Sequence, residues 1–116
     1  MYRMGKKLAE LTERQLYALR KRLAAGVGDP ALTLRGTLVS DMRRCSGEHC
    51  RCRRGQLHGP YSYLTTYSSG RSRMVYVPQA VVATATEHVN ATQHGEALLA
   101  EISRVNLELL RRRALR

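Results

Sequence analysis

The stretch GPYSYLTTYSSGRSRMVYVP, residues 59–78, reads as two β-strands joined by a tight turn. Tyr, Thr, Val and Leu dominate both arms, Ser69-Gly70 stands between them as a turn pair, and Pro78 ends the second arm. A two-residue loop sets Tyr67 opposite Ser72, Thr65 opposite Met74 and Tyr63 opposite Tyr76. One face then carries Leu64, Val75 and Val77, with Thr66, Arg71 and Arg73 near the tip. The other carries Tyr61, Tyr63, Thr65, Tyr67, Met74 and Tyr76. Both faces have apolar content. The aliphatic face is favoured as the core, because tyrosine hydroxyls need partners or water.

Upstream, ALTLRGTLVSDMRRC (residues 31–45) alternates with period two. Leu32, Leu34, Leu38 and Met42 share one parity, and Thr33, Arg35, Thr37, Asp41 and Arg43 share the other. That pattern predicts a third strand with one buried face, and Gly36 a bulge or bend in it. Further upstream, Thr12 and Gln15 have capping-box spacing, Leu16, Leu19 and Leu23 recur at helical intervals, and Gly26 follows as a stop. A helix over residues 13–25 is expected, with Arg14, Lys21 and Arg22 on its other face. From Gln79 to about Arg113 the pattern is again helical, with Gly95 as a point of break or bend. Unbroken, this helix would run to roughly 50 Å at about 1.5 Å per residue. That is more than a small sheet can cover, so the stripe Leu99, Ile102, Val105 and Leu109 needs either the N-terminal helix or a second copy of the chain. A homodimer is the expectation. The fold class is α+β in one domain: an N-terminal helical extension (1–30), a β-sheet unit with a metal loop between strands one and two (31–78), and a long C-terminal helix (79–116).

The three cysteines of the chain fall in the connection between the first two strands. Cys45, Cys50, Cys52 and His58 form C-x4-C-x-C-x5-H, with Gly47 and Gly55 allowing the backbone to wrap a small ion. Thiolates and imidazole are the ligands of tetrahedral structural zinc. His49, beside Cys50, competes with His58 for the fourth position. The segment has no C-x-x-C pair, and no H-E-x-x-H or H-x-E general base accompanies the ligands. The expected role of the zinc is therefore structural, and the protein is read as not an enzyme.

Composition points the same way. The chain of 116 residues has no Trp and no Phe, and its six tyrosines are its only aromatics. The core must rest on smaller side chains, and thin cores tend to recruit a metal or a partner. Twenty Lys and Arg stand against nine Asp and Glu, a net charge of +11. Eight arginines and two acids lie between Arg35 and Arg73, a local +6 centred on the cysteine loop. Such a balance speaks to a polyanionic partner, most commonly nucleic acid. The C-terminal RRRALR reads instead as a frayed helix end whose cations suit the helix dipole. No apolar run approaches the roughly 18 residues of a membrane span, and MYRMGKKLAE lacks the apolar core of a secretory signal. A cytoplasmic location is expected, where clustered thiols serve as metal ligands rather than disulfides.

RGTLVSDMRRCSGEHCRC, HGPYSYL and RMVYVP, in that order and followed by a helix ending ISRVNLELLRRR, resemble a family of short bacterial proteins of uncharacterised function. Its members are often encoded near transposases and other mobile-element genes. The resemblance covers about Leu34 to Arg113 and leaves out the N-terminal 33 residues. It implies a cysteine-knotted hairpin and a mobile-element setting, with no established activity. Ser62 stands here where the family's tyrosine run is usually unbroken.

Together these readings predict a zinc-stabilised DNA-binding accessory protein of a mobile element or phage. The zinc would hold Arg43, Arg44, Arg51, Arg53 and Arg54 as one surface, at less ordering entropy than a floppy tail. By analogy with sheet-bearing integrase domains, the face away from the helix would enter the major groove. It would present Tyr61, Tyr63, Thr65, Tyr67 and Tyr76, with Arg35, Thr37 or Arg43 from the first strand. Arg71 and Arg73 would reach base edges from the hairpin tip. Two alternatives stand beside this. One is an interaction module whose C-terminal helix dimerises or docks on a transposase or recombinase. The other is single-stranded RNA binding by stacking on Tyr61, Tyr63 and Tyr67.

Overall fold

The computed structural model describes residues 7–43 and 58–116. Its elements are α1 (Glu13–Ala25), β1 (Thr37–Arg43), β2 (His58–Ser68), β3 (Arg71–Val77) and α2 (Val82–Arg111), with single 3-10 turns at Leu8–Glu10, Pro30–Leu32 and Gln79–Val81. The fold is α+β. Two compact units divide it: residues 33–90, and the N-terminal segment to Leu32 together with residues 91–116. Among the described residues no helix is long and apolar enough to cross a membrane.

The sheet unit is antiparallel, in the order β1-β2-β3. Ser69 (φ 53°) and Gly70 (φ 77°) form the two-residue turn, with positive φ at both positions as a type I′ hairpin requires. The expected register follows from it: Tyr67 pairs with Ser72, Thr65 with Met74 and Tyr63 with Tyr76. The aliphatic face is the buried one. Leu64, Val77 and Val89 form its centre, and Leu34, Leu38, Val82 and Ala85 pack around them, so the first turns of α2 cover this face. Ser40 and Ser62 satisfy one another on the same face, Oγ to Oγ at 3.1 Å.

β1 is shorter than its alternation predicts. It starts at Thr37 rather than Leu32, because Gly36 bends the chain at φ 146°. A Cβ on Gly36 would stand 2.6 Å from the Thr65 carbonyl oxygen, so only glycine allows the first strand to approach the second there.

The helical unit packs α1 against the last turns of α2. The N-terminus of α1 carries the expected capping box, with Gln15 N–H donating to Thr12 Oγ1 at 3.1 Å and Thr12 N–H to Gln15 Oε1 at 2.9 Å. Leu16, Leu19 and Leu23 are buried against Val105 and Leu109, with Ile102 and Leu98 partly buried beside them. Each of these leucines contributes roughly 1.5–3 kcal/mol of burial. This bears on the stripe of Leu99, Ile102, Val105 and Leu109. Val105 and Leu109 are fully covered by α1 of the same chain, and Leu99 faces away from that contact at 54% exposure. Of the two candidates for covering the stripe, the N-terminal helix covers Val105 and Leu109, with Ile102 partly buried beside them.

α2 runs unbroken through Gly95, so the break that glycine allows there does not occur. Its C-terminus is not frayed either. Arg113 adopts φ 58°, its N–H donates to Leu110 O at 2.9 Å, and Ala114 N–H donates to Leu109 O at 2.8 Å. This is the paired-bond cap in which a left-handed residue follows the helix. Tyr17 Oη donates to Ala114 O, and the Arg116 guanidinium lies 4.4 Å over the Tyr17 ring. Arg112 bridges Glu108 (Nε to Oε2, 2.8 Å) and the carbonyls of Leu8 and Ala9, both at 3.1 Å.

Candidate functional site

β2 orders the candidate residues. Along it, odd-numbered side chains rise from one face and even-numbered ones from the other. Tyr61, Tyr63, Thr65 and Tyr67 therefore stand in a row away from α2. Register adds Tyr76, Met74 and Ser72 from β3, and Asp41, Val39 and Thr37 from β1. No element of the sheet unit covers this row at its centre and tip: Tyr67 is 74% exposed, Met74 62% and Tyr76 52%. Tyr61 and Tyr63 are half-buried, and the rings of Tyr63 and Tyr76 meet edge to face at 5.7 Å. Ser62, which breaks the tyrosine run in the sequence, points to the core side and is buried. Ser62 thus leaves the tyrosine face uninterrupted, and the residue between the rings on that face is Thr65.

One expected contributor to this face is not part of the ladder. Arg35 lies ahead of β1, outside the ladder, because the bend at Gly36 starts the strand two residues later. Val39 and Asp41 follow Thr37 on the row, so an acid stands opposite Tyr61. Arg71 and Arg73 pair with Ser68 and Thr66 and share the parity of Leu64. As the two-residue loop predicts, they are exposed at the hairpin tip on the face that carries Leu64. The exposed face is therefore built of rings, hydroxyls, a thioether and Val39, with Asp41 beside Tyr61.

The cysteine loop opens and closes at one point of the ladder. Arg43, the last residue of β1, pairs with His58, the first of β2. Between Asp41-Tyr61 and Arg43-His58 the second strand carries one residue more than the first, a bulge. Gly59 sits in it at φ 126°, and a Cβ there would come 2.9 Å from the Asp41 carbonyl oxygen. The glycine of H-G-P-Y is thus required by the bulge that starts β2. Cys45, Cys50, Cys52, His49, Arg44, Arg51, Arg53 and Arg54 lie outside the described residues. His58 is half-buried at the strand end. Three thiolates and an imidazole fit a tetrahedral zinc chemically. The Arg43-His58 pairing brings the start of the cysteine segment to the strand end that carries His58, as a four-ligand loop of this kind needs. Among the described residues alone, no group of three or more potential ligands is gathered.

The basic face of α1 was visible in the sequence but was not assigned a role there. Its signal is a cation placed where helix electrostatics disfavours one: Arg14 in the first turn.

No curated protein and no solved structure matches the chain. A family model matches residues 8–87, taking in α1, all three strands and the start of α2. The match includes the N-terminal helix, which the resemblance from the cysteine and tyrosine motifs left out. On that match the chain belongs to the family described as a domain of unknown function, DUF6788.

Proposed function

We propose that the protein is a non-enzymatic, zinc-stabilised DNA-binding accessory protein of a mobile element. The observation that carries this reading is the open sheet face opposite α2, with Tyr67, Met74 and Tyr76 more than half exposed. A sheet covered by a helix on one side and open on the other is the form in which β-sheet readers meet a groove. Thr37, Thr65, Ser72 and the tyrosine hydroxyls supply donors and acceptors for base edges. The arginines of the cysteine loop, part of the local +6 between Arg35 and Arg73, supply phosphate contacts. Zinc bound by Cys45, Cys50, Cys52 and His58 (or His49) would hold those arginines together.

The test is a salt series on short duplex DNA with wild type and an Arg53→Ala/Arg54→Ala variant. Loss of two phosphate contacts lowers the slope of log K against log salt by about two units and weakens all sequences alike. An unchanged slope removes the loop from the interface. Substituting Arg71 or Arg73 is expected to change preference between sequences.

A second reading rests on the chemistry of the same face. Its row carries four tyrosines and Asp41, a composition suited to stacking on bases more than to neutralising phosphate. Single-stranded DNA or RNA would then outcompete duplex, and Tyr67→Ala with Tyr76→Ala would abolish that advantage. Equal competition by duplex and single strand removes the stacking reading.

A further inference from the structure

We infer that the outward face of α1, carrying Arg14, Lys21 and Arg22, is a second phosphate-binding surface that contacts the DNA backbone. It rests on the DNA-binding reading for its partner, but not on the cysteine loop, the zinc or the sheet face. At about 100° per residue these three side chains fall within roughly 100° of arc, on the side of the helix opposite Leu16, Leu19 and Leu23. All three are exposed, and the exposed Ala18 and Ala25 lie between them. They span about 12 Å along the axis.

Among the described residues, most other cations of their unit are engaged within the fold, Lys7 and Arg113 excepted, whereas all three on this face are unused. Arg20 donates to Asn106 Oδ1 at 3.0 Å and to the Arg116 carbonyl at 2.9 Å. Arg104 pairs with Glu101 at 3.1 Å, Arg111 and Arg112 with Glu108, and Arg116 covers the Tyr17 ring. The glutamates of the last turns of α2 are thus taken up by the arginines of α2 itself. Arg14, Lys21 and Arg22 have no hydrogen-bond or ion-pair partner among the described residues. Arg22, in the last turn, has a local benefit from the helix dipole. Arg14 has the reverse. It stands in the first turn, where a cation is disfavoured by about 0.3–1 kcal/mol, and a neutral helix former there would improve α1. A position that is locally unfavourable and makes no contact within the fold is accounted for by a partner, and backbone phosphate is the partner that cations on an otherwise small-residue helix face fit. Point charges suffice for phosphate, so Lys and Arg are both usable here.

The experiment uses the full metal-loaded chain and a short duplex DNA across a salt series. Four proteins are compared: wild type, Arg14→Ala/Lys21→Ala/Arg22→Ala, Arg14→Lys/Arg22→Lys, and Arg53→Ala/Arg54→Ala. The triple alanine variant should lower the slope of log K against log salt by between about two and three units, and lower affinity roughly tenfold or more at low salt. Its melting temperature should stay the same or rise. The Lys variant should keep the wild-type slope. If wild type binds and the triple variant matches it in slope and affinity, the inference is overturned while the loop reading stands. If the triple variant falls and the loop variant does not, the inference holds and the loop reading fails. No duplex binding by wild type overturns both.

Discussion

Arg113 closes α2 in a left-handed conformation, φ 58°, that costs an L residue about 1–2 kcal/mol and glycine almost nothing. Its side chain is exposed and makes no hydrogen bond or ion pair among the described residues. Arg113→Gly should therefore raise unfolding free energy by about 1 kcal/mol, read as a shifted urea midpoint at constant slope. Unchanged or lowered stability would mean that the cap does not form as described. The same residue shows where reading the sequence stops. A helix end signalled by glycine is legible, whereas RRRALR has no glycine and its arginines look like dipole complements. That Arg112 would bridge Glu108 and two carbonyls near the N-terminus depends on chain segments about a hundred residues apart. Ser62 is a related case: in sequence it interrupts the tyrosines, and only period two shows that it leaves their face intact.

At the scale of elements, α1 and the hairpin were legible because local chemistry over-determines them. Thr12 and Gln15 fix the start of α1, three leucines fix its buried face, and Ser69-Gly70 fixes the register of every pair in β2 and β3. The start of β1 was not, since alternation continues upstream of Gly36 while the bend depends on a carbonyl of another strand. Nor could the partner of Val105 and Leu109 be read off, because one apolar stripe serves equally for a helix of its own chain or a second copy. The structure places it on Leu16, Leu19 and Leu23. Leu109→Ala should then cost about 3 kcal/mol of stability and leave the mass in solution, measured by light scattering, equal to wild type. A halved mass with little loss of stability would restore the stripe to a dimer interface.

For the whole molecule, the distribution of charge and thiols was plain in the sequence, and the closing of the cysteine segment at Arg43 and His58 is what the fold adds. The face on which the rings lie could be derived from parity, but which face is buried followed only from where α2 packs. Purified protein is expected to carry about one zinc per chain, and Cys50→Ser to lose the metal and much of the thermal stability. His58→Ala and His49→Ala, assayed for zinc content, identify the fourth ligand, and full stability in chelator with no metal bound would remove zinc from the account.

The most direct measurement is binding of the intact protein, of known zinc content, to duplex DNA at increasing salt. With the loop arginines and the α1 cations both on phosphate, affinity should be measurable at low salt and fall steeply. The slope in log K against log salt should be about −0.9 for each phosphate neutralised. Zinc-loaded protein that shows no duplex binding at low salt, or binding that salt leaves unchanged, would contradict it.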